Sequence, residues 1–171
     1  IHNQSLISLA TWQGQIVGGT TTEGGGGSHP TEKDATVFFW NPTTHKVLWK
    51  IAPVPGAKSV TDLITSRSGL VYGVAFNNGP KLFTIDPKKH QVLSVQSLPF
   101  HSLPYNGVVM TQDGTIWGLA EEGIFQINDS THQATIVARS PVPITGGIAL
   151  QGHDLYFVSN SEVYSYDGIG R

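Results

Sequence analysis

The sequence predicts an all-β chain built as a β-propeller of four-stranded blades. Three observations lead there. Short apolar and aromatic segments recur with a period of roughly 40 residues. Asn, Asp, Gly and Pro punctuate them at matching places. No stretch carries the i, i+3, i+4, i+7 spacing of an amphipathic helix.

The third and fourth strands of each repeat are the easiest to see. "VFFWNPTTHKVLW" from Val37, "LFTIDPKKHQVLS" from Leu82, "IFQINDSTHQATI" from Ile124 and "VYSYDG" from Val163 nearly superimpose. Their turn anchors, Asn41, Asp86, Asn128 and Asp167, follow one another after 45, 42 and 39 residues. The second strand comes earlier, after a tight turn, in "WQGQIVGG", "SRSGLVYG", "TQDGTIWG" and "LQGHDLYF". A short apolar run, "LISLA", "VTDLIT", "GVVMT" or "GIAL", supplies the first. We label the strands of a blade a to d from the axis outward.

One small twisted sheet cannot bury both of its faces, whereas blades stacked around an axis cover one another. The expected blades are residues 5–54, 58–98, 105–139 and 144–168 of a single propeller segment spanning 1–171. The fourth lacks its outer strand. Most propellers close with more blades than four, so a C-terminal portion of a larger, roughly six- to eight-bladed ring is expected. A self-standing four-bladed ring is the alternative.

Composition narrows the partners. A chain of 171 residues can bury a proper core. Net charge is −2 and only 13% of residues are charged, so no bulk field favours nucleic acid or an anionic membrane. No apolar run approaches the length of a membrane span. Cysteine is absent, which removes disulfides, thiolate metal sites and a cysteine nucleophile. The chain starts at Ile1 with no signal-peptide pattern, as expected of a mature product or an excised piece.

Segments such as "LFTIDPKKHQVLSV" and "SGLVYGVA" resemble the repeats of the bacterial YVTN/quinoprotein-like propeller group. The resemblance covers nearly the whole chain. It implies the propeller fold and leaves function open, because the group holds enzymes, binders and scaffolds. This chain departs by placing His45, His90 and His132 where the group's turn has glycine. A left-handed backbone at an exposed turn explains them better than metal binding, because rim turns lie too far apart to converge on one ion.

The stretch "TTTEGGGGSHPTEKDAT", residues 20–36, falls between strands b and c of the first blade. Its counterparts, "FNNGP", "EEG" and "SNS", are short. It is not a phosphate cradle, because Lys33 lacks the Gly-Lys-Ser/Thr context and a strand follows. "GGGGS" is also an engineered spacer, but here it sits inside one blade and the repeat register continues across it, as in a native loop. In this layout the b–c loops and the d-to-a connections share one face, the one expected to carry ligands.

The candidate residues on that face are Glu23, His29 and Glu32, with Lys33 and Asp34, in the long loop. Lys58 enters the second blade, and His101, Tyr105 and Asn106 lie in the connection "PFHSLPYNG". Glu121 and Glu122 belong to the third blade, and Arg139 precedes the fourth. Mixed polar groups beside aromatic rings suit a carbohydrate or another polar ligand. His101 and Tyr105 are the candidate base and acid of a lyase, with Lys58 or Arg139 neutralising a substrate carboxylate. Tyr105 could instead plug a blade junction. Asp62 interrupts an inner strand, and the other repeats place no carboxylate beside it. The tryptophans are expected in blade-to-blade packing. Asn3 and Asn128 match the glycosylation pattern.

No cofactor or metal site is expected. The leading reading is a ligand-binding or interaction propeller of a secreted or surface bacterial protein, plausibly carbohydrate-associated. The alternatives are part of a polysaccharide or lactone lyase, and a scaffold for protein partners.

Overall fold

A computed structural model describes residues 4–24 and 29–168. It contains fifteen β-strands and no helix among the described residues. Asn3 and residues 25–28, the last three glycines of the run with Ser28, lie outside them, and so do the glycosylation and spacer readings of these positions. The chain divides into two compact units, Ile1–Leu98 and Pro99–Arg171.

The first unit holds two four-stranded blades. β1 (Ser5–Trp12), β2 (Gln15–Thr21), β3 (Val37–Asn41) and β4 (Lys46–Ile51) form one. β5 (Ser59–Thr65), β6 (Val71–Phe76), β7 (Pro80–Asp86) and β8 (Gln91–Ser97) form the next. Every neighbouring pair is antiparallel, and a single pairing, Thr21 with Ser59, joins the two blades. The second unit holds β9 (Val108–Met110), β10 (Ile116–Ala120), β11 (Gly123–Asn128) and β12 (Gln133–Arg139). Its last sheet has three strands, β13 (Gly146–Gln151), β14 (Asp154–Ser159) and β15 (Glu162–Tyr166).

The Asn/Asp anchors have one local cause. Asn41 Oδ1 accepts hydrogen bonds from the backbone N–H groups of Thr43 and Thr44 at 2.8 and 3.0 Å. Asp86 does the same for Lys88 and Lys89, and Asn128 for Ser130 and Thr131. Each turn then closes through a left-handed histidine: φ is 56° at His45, 54° at His90 and 61° at His132. The three histidines are therefore turn-closing residues, as their position in the repeat predicts.

Two of their rings also pack. His45 stacks on Trp40 within its own hairpin. His90 stacks on Trp49 of the preceding blade with ring centroids 4.4 Å apart. Trp49 stacks in turn on Phe39, which meets Trp12 edge-on. Trp12 finishes the link by donating its indole N–H to Gly69 O at 2.8 Å. Tryptophans thus join the first two blades, as expected. Trp117, 2% exposed, does the equivalent in the second unit's core with Leu155 and Phe157.

A second repeated device lies in strand b. Gly18, Gly73 and Gly118 lie opposite Phe38, Phe83 and Phe125 on strand c, and each ring lies directly over its glycine. A methyl group at any of the three would collide with that ring. The blade is thin there because no side chain intervenes.

Candidate functional site

The sheets bring the b–c loops and the inter-blade connections together within each unit. In the first unit, Thr22 N–H donates to Lys58 O at 2.7 Å, and Ala35 N–H to Ala57 O at 2.8 Å. Asp34 is the hinge of the long loop: its Oδ1 accepts Gly56 N–H at 2.7 Å, and its backbone O accepts Gln4 Nε2 at 3.0 Å. Gly56 has φ +78°, a left-handed conformation that glycine adopts without steric penalty. Both ends of the loop are therefore tied down, one to Lys58 and the other to the 56–57 turn.

Between these ties the loop frames an open groove of about 470 Å³. Thr31, Glu32, Lys33 and Asp34 form its loop side, and Lys50 with Ile51, at the end of β4, forms the sheet side. Hydroxyl, carboxylate and ammonium groups alternate around it over a short apolar strip. Of the sequence candidates, Glu32, Lys33 and Asp34 line this groove. Glu23, His29 and Lys58 are exposed outside it. Lys58 contributes its backbone, whose carbonyl also accepts the Thr21 and Thr22 hydroxyls.

In the second unit the b–c turn is only two residues, Glu121 and Glu122, yet it gathers both flanking connections. Glu121 N–H donates to Ser102 O at 3.0 Å, Ile144 N–H to Glu121 O at 2.9 Å, and Ser140 N–H to Glu122 O at 3.0 Å. Glu122 Oε1 then meets His101 Nδ1 at 2.6 Å and accepts the His101 backbone N–H at 3.0 Å. Burial pushes the Glu122 carboxyl up, but the hydrogen bonds from the His101 side chain and backbone outweigh it and hold it below the ordinary range. The sequence names His101 and places Glu122 on the same face; their pairing is a tertiary result. The His101 side chain is 94% exposed, so the pair stands open to solvent.

The other candidates of this unit are dispersed. Tyr105 is 59% exposed, whereas Leu103, 5% exposed, takes the buried place in that connection. Asn106 sits exposed in a left-handed turn, φ 54°, just before the buried Gly107. Arg139 ends β12, exposed, opposite Gly123.

Asp62 is fully buried and accepts the Thr61 hydroxyl at 2.6 Å. Asp62 and Ser8 are equivalent positions: each follows a β-bulge, after Val60 and after Leu6, and each precedes the leucine that lies opposite a strand-b glycine. Ser8 donates its hydroxyl to Val60 O at 2.7 Å. No group of three or more His, Asp or Glu residues that could hold a metal occurs among the described residues.

Comparison with known proteins adds the fold. No family model matches the sequence, and no curated protein matches it. Among solved structures, the extracellular domain of BT4673 from B. thetaiotaomicron aligns with a TM-score of 0.68 at 18% identity, over 96% of this chain and 21% of that one. The RRP9 WD40 repeats align with a TM-score of 0.74 at 12% identity, over 98% of this chain and 49% of theirs. A protein of unknown function from Bacteroides caccae aligns at 0.55 and 12% identity, over 96% of this chain and 61% of that one. This chain therefore spans about a fifth of the length of the first and half of the second. With the sheet pattern, these likenesses show an all-β propeller of several blades. No helix is long and apolar enough to cross a membrane among the described residues.

Proposed function

We propose that this chain is a recognition segment of a larger propeller in a secreted or cell-surface bacterial protein, and that it holds a polar, carbohydrate-like ligand beside the long b–c loop. The groove carries the reading. Its wall is anchored at both ends, so the cost of ordering a flexible loop on binding is already reduced. Thr31, Thr36 and Glu32 offer hydroxyl and carboxylate partners, Lys33 and Lys50 offer donors, and Ile51 offers a surface for the C–H face of a sugar ring. The opposite charges in the lining offset one another, which suits a neutral polyhydroxyl ligand better than a strongly anionic one. The extracellular setting is supported by the likeness to an extracellular domain, and the narrower YVTN-like grouping by the Asp86-Pro87 hairpin turn.

A glycan array followed by titration calorimetry tests this. We expect binding of neutral oligosaccharides, weakened at least about tenfold by Glu32→Ala or Lys50→Ala, in line with the loss of one or two polar contacts. An array without a single binder overturns the reading.

The His101–Glu122 pair favours a second reading, a polysaccharide lyase. A carboxylate on Nδ1 orients an imidazole and leaves Nε2 free to take a proton. Unsaturated uronate products would appear as new ultraviolet absorbance, and His101→Ala would remove it. Absorbance unchanged by His101→Ala and Tyr105→Ala rejects the assignment. A protein partner captured equally well by the groove variants and both of these substitutions would instead support a scaffold.

A further inference from the structure

The a–b turn is built alike in the second and third blades. In one, Ser66 N–H donates to Leu70 O and Gly69 N–H to Ser66 O. In the other, Thr111 N–H donates to Thr115 O and Gly114 N–H to Thr111 O. The third residue of the turn completes each. Ser68 Oγ meets Ser66 Oγ at 2.8 Å. Asp113 Oδ1 accepts the Thr111 hydroxyl and, at 3.0 Å, the Thr115 N–H. A neutral serine therefore suffices in this turn, and the charge of Asp113 exceeds what the turn requires. The bond from the Thr111 hydroxyl, followed by that from the Thr115 N–H, holds the carboxyl below the ordinary carboxylate range. Both bonds fall on Oδ1, so Oδ2 keeps capacity for an incoming donor.

The space beside the turn differs as well. Thr11, Thr65, Met110 and Leu150 are equivalent, since they pair with Ile16, Val71, Ile116 and Leu155. Between the first two blades the turns are bonded directly: the Thr65 hydroxyl donates to Thr11 O at 2.7 Å, and Trp12 Nε1 to Gly69 O. Between the third and fourth, Met110 and Leu150 carry no hydroxyl, and Thr111 follows Met110 where Trp12 follows Thr11. A cleft of about 470 Å³ lies there, with Met110 and Asp113 on one side and Leu150 and His153 on the other. A second cavity of about 500 Å³ shares Asp113 and runs along the third blade past Gln126 and Thr135 to Asp129. Neither lining holds a lysine or arginine, in contrast to the long-loop groove with Lys33 and Lys50.

We infer that this cleft takes a basic segment of a partner polypeptide, with a lysine or arginine stem between Met110 and Leu150 and its cation on Asp113. Such a side chain offers an aliphatic stem to the apolar walls and a charged donor to the carboxylate. A lining with carboxylates and no lysine or arginine favours a positive partner over the neutral ligand of the long-loop groove. The cavity beyond Asp113 has room and polar groups for the residues next to the basic one, whereas a free amine would fill only one of the two spaces.

A library of end-blocked hexapeptides, each with a central lysine or arginine and varied neighbours, tests this by fluorescence anisotropy against the 171-residue chain. The best peptides should lose affinity at least about fivefold when citrulline replaces arginine or norleucine replaces lysine. Asp113→Ser in the protein should have the same effect. It copies the turn of the second blade, so circular dichroism should show the fold intact. Asp113→Asn, which keeps the size of the side chain and removes its charge, should behave alike, and neither variant should alter glycan binding at the long loop. A library without a binder overturns the inference. So do neutral analogues that bind as tightly as the basic peptides, and basic peptides indifferent to both Asp113 variants. Agmatine binding as tightly as the best peptide would mean a small amine as ligand and would overturn the polypeptide assignment.

Discussion

The long b–c loop of the first blade and the two-residue turn of the third perform one architectural task in different ways. Each ties a b–c connection to the chain segment entering a blade. The long loop does it with backbone pairing at both ends and one carboxylate, Asp34, on the N–H of Gly56. The short turn does it with three backbone bonds and one carboxylate, Glu122, on His101. Both carboxylates thus serve as clasps before any ligand is considered. The difference lies in what remains. Thirteen or so extra residues leave a groove behind the clasp, whereas two residues leave an exposed ring above it. A candidate site therefore arises in this fold from loop length more than from an unusual residue.

Four experiments can break or sharpen that contrast. The largest effect should come from Gly56→Ala. A methyl group there must accept φ +78° and lies 3.1 Å from Asn77 Nδ2. A cost of about 1–2 kcal/mol, or a Tm lower by roughly 3–6 °C in a thermal melt, is expected. A Tm unchanged by this substitution would show that the turn does not depend on glycine at this left-handed position.

Next comes Asp34→Ala, which leaves the Gly56 N–H to solvent and should cost about 1 kcal/mol in urea denaturation. It should also loosen the groove wall, so ligand affinity should fall although Asp34→Ala removes only one lining group. Retained affinity would separate the clasp from the binding surface.

Smaller still is the acid dependence of the second unit. A glutamate whose folded pKa lies below the ordinary 4.5 stabilises the fold fully above that value. That stability is lost as pH falls through the depressed value. Glu122→Gln should flatten this part of the stability profile in acid melts. An unaltered profile would show that the carboxylate contributes nothing there.

The smallest effect on stability should come from Glu32→Ala in the groove. The side chain is exposed, so Tm should stay within about 1 °C. Its influence should appear in ligand affinity alone. A large Tm loss would make Glu32 part of the loop's scaffold.

Much of the architecture was legible because its causes are local. The Asn/Asp anchors and left-handed histidines depend on four or five neighbouring residues, and a repeat displays them several times over. The glycine–phenylalanine pairs were missed, although "VYG" and "LFTI" carried the signal. A glycine on strand b ahead of a phenylalanine on strand c becomes meaningful only once the two strands are known to lie side by side. The correspondence of Asp62 with Ser8 is set by strand pairing in the same way, since only the glycine opposite the next leucine fixes the register. Tyr105 was an ambiguous candidate for a similar reason. A ring beside a proline can turn inward or outward, and the choice depended on Leu103 filling the buried place.

The sequence by itself determined the strand count, the order of strands in a blade, the turn chemistry and the unequal loop lengths, since each follows from residues close together along the chain. Only the tertiary structure decided that Glu122 meets His101, that Asp34 holds Gly56, and that Glu32 and Lys50 share a groove. Those outcomes require segments roughly 20 residues apart to converge. They are set by the sum of many weak packing terms rather than by any local preference.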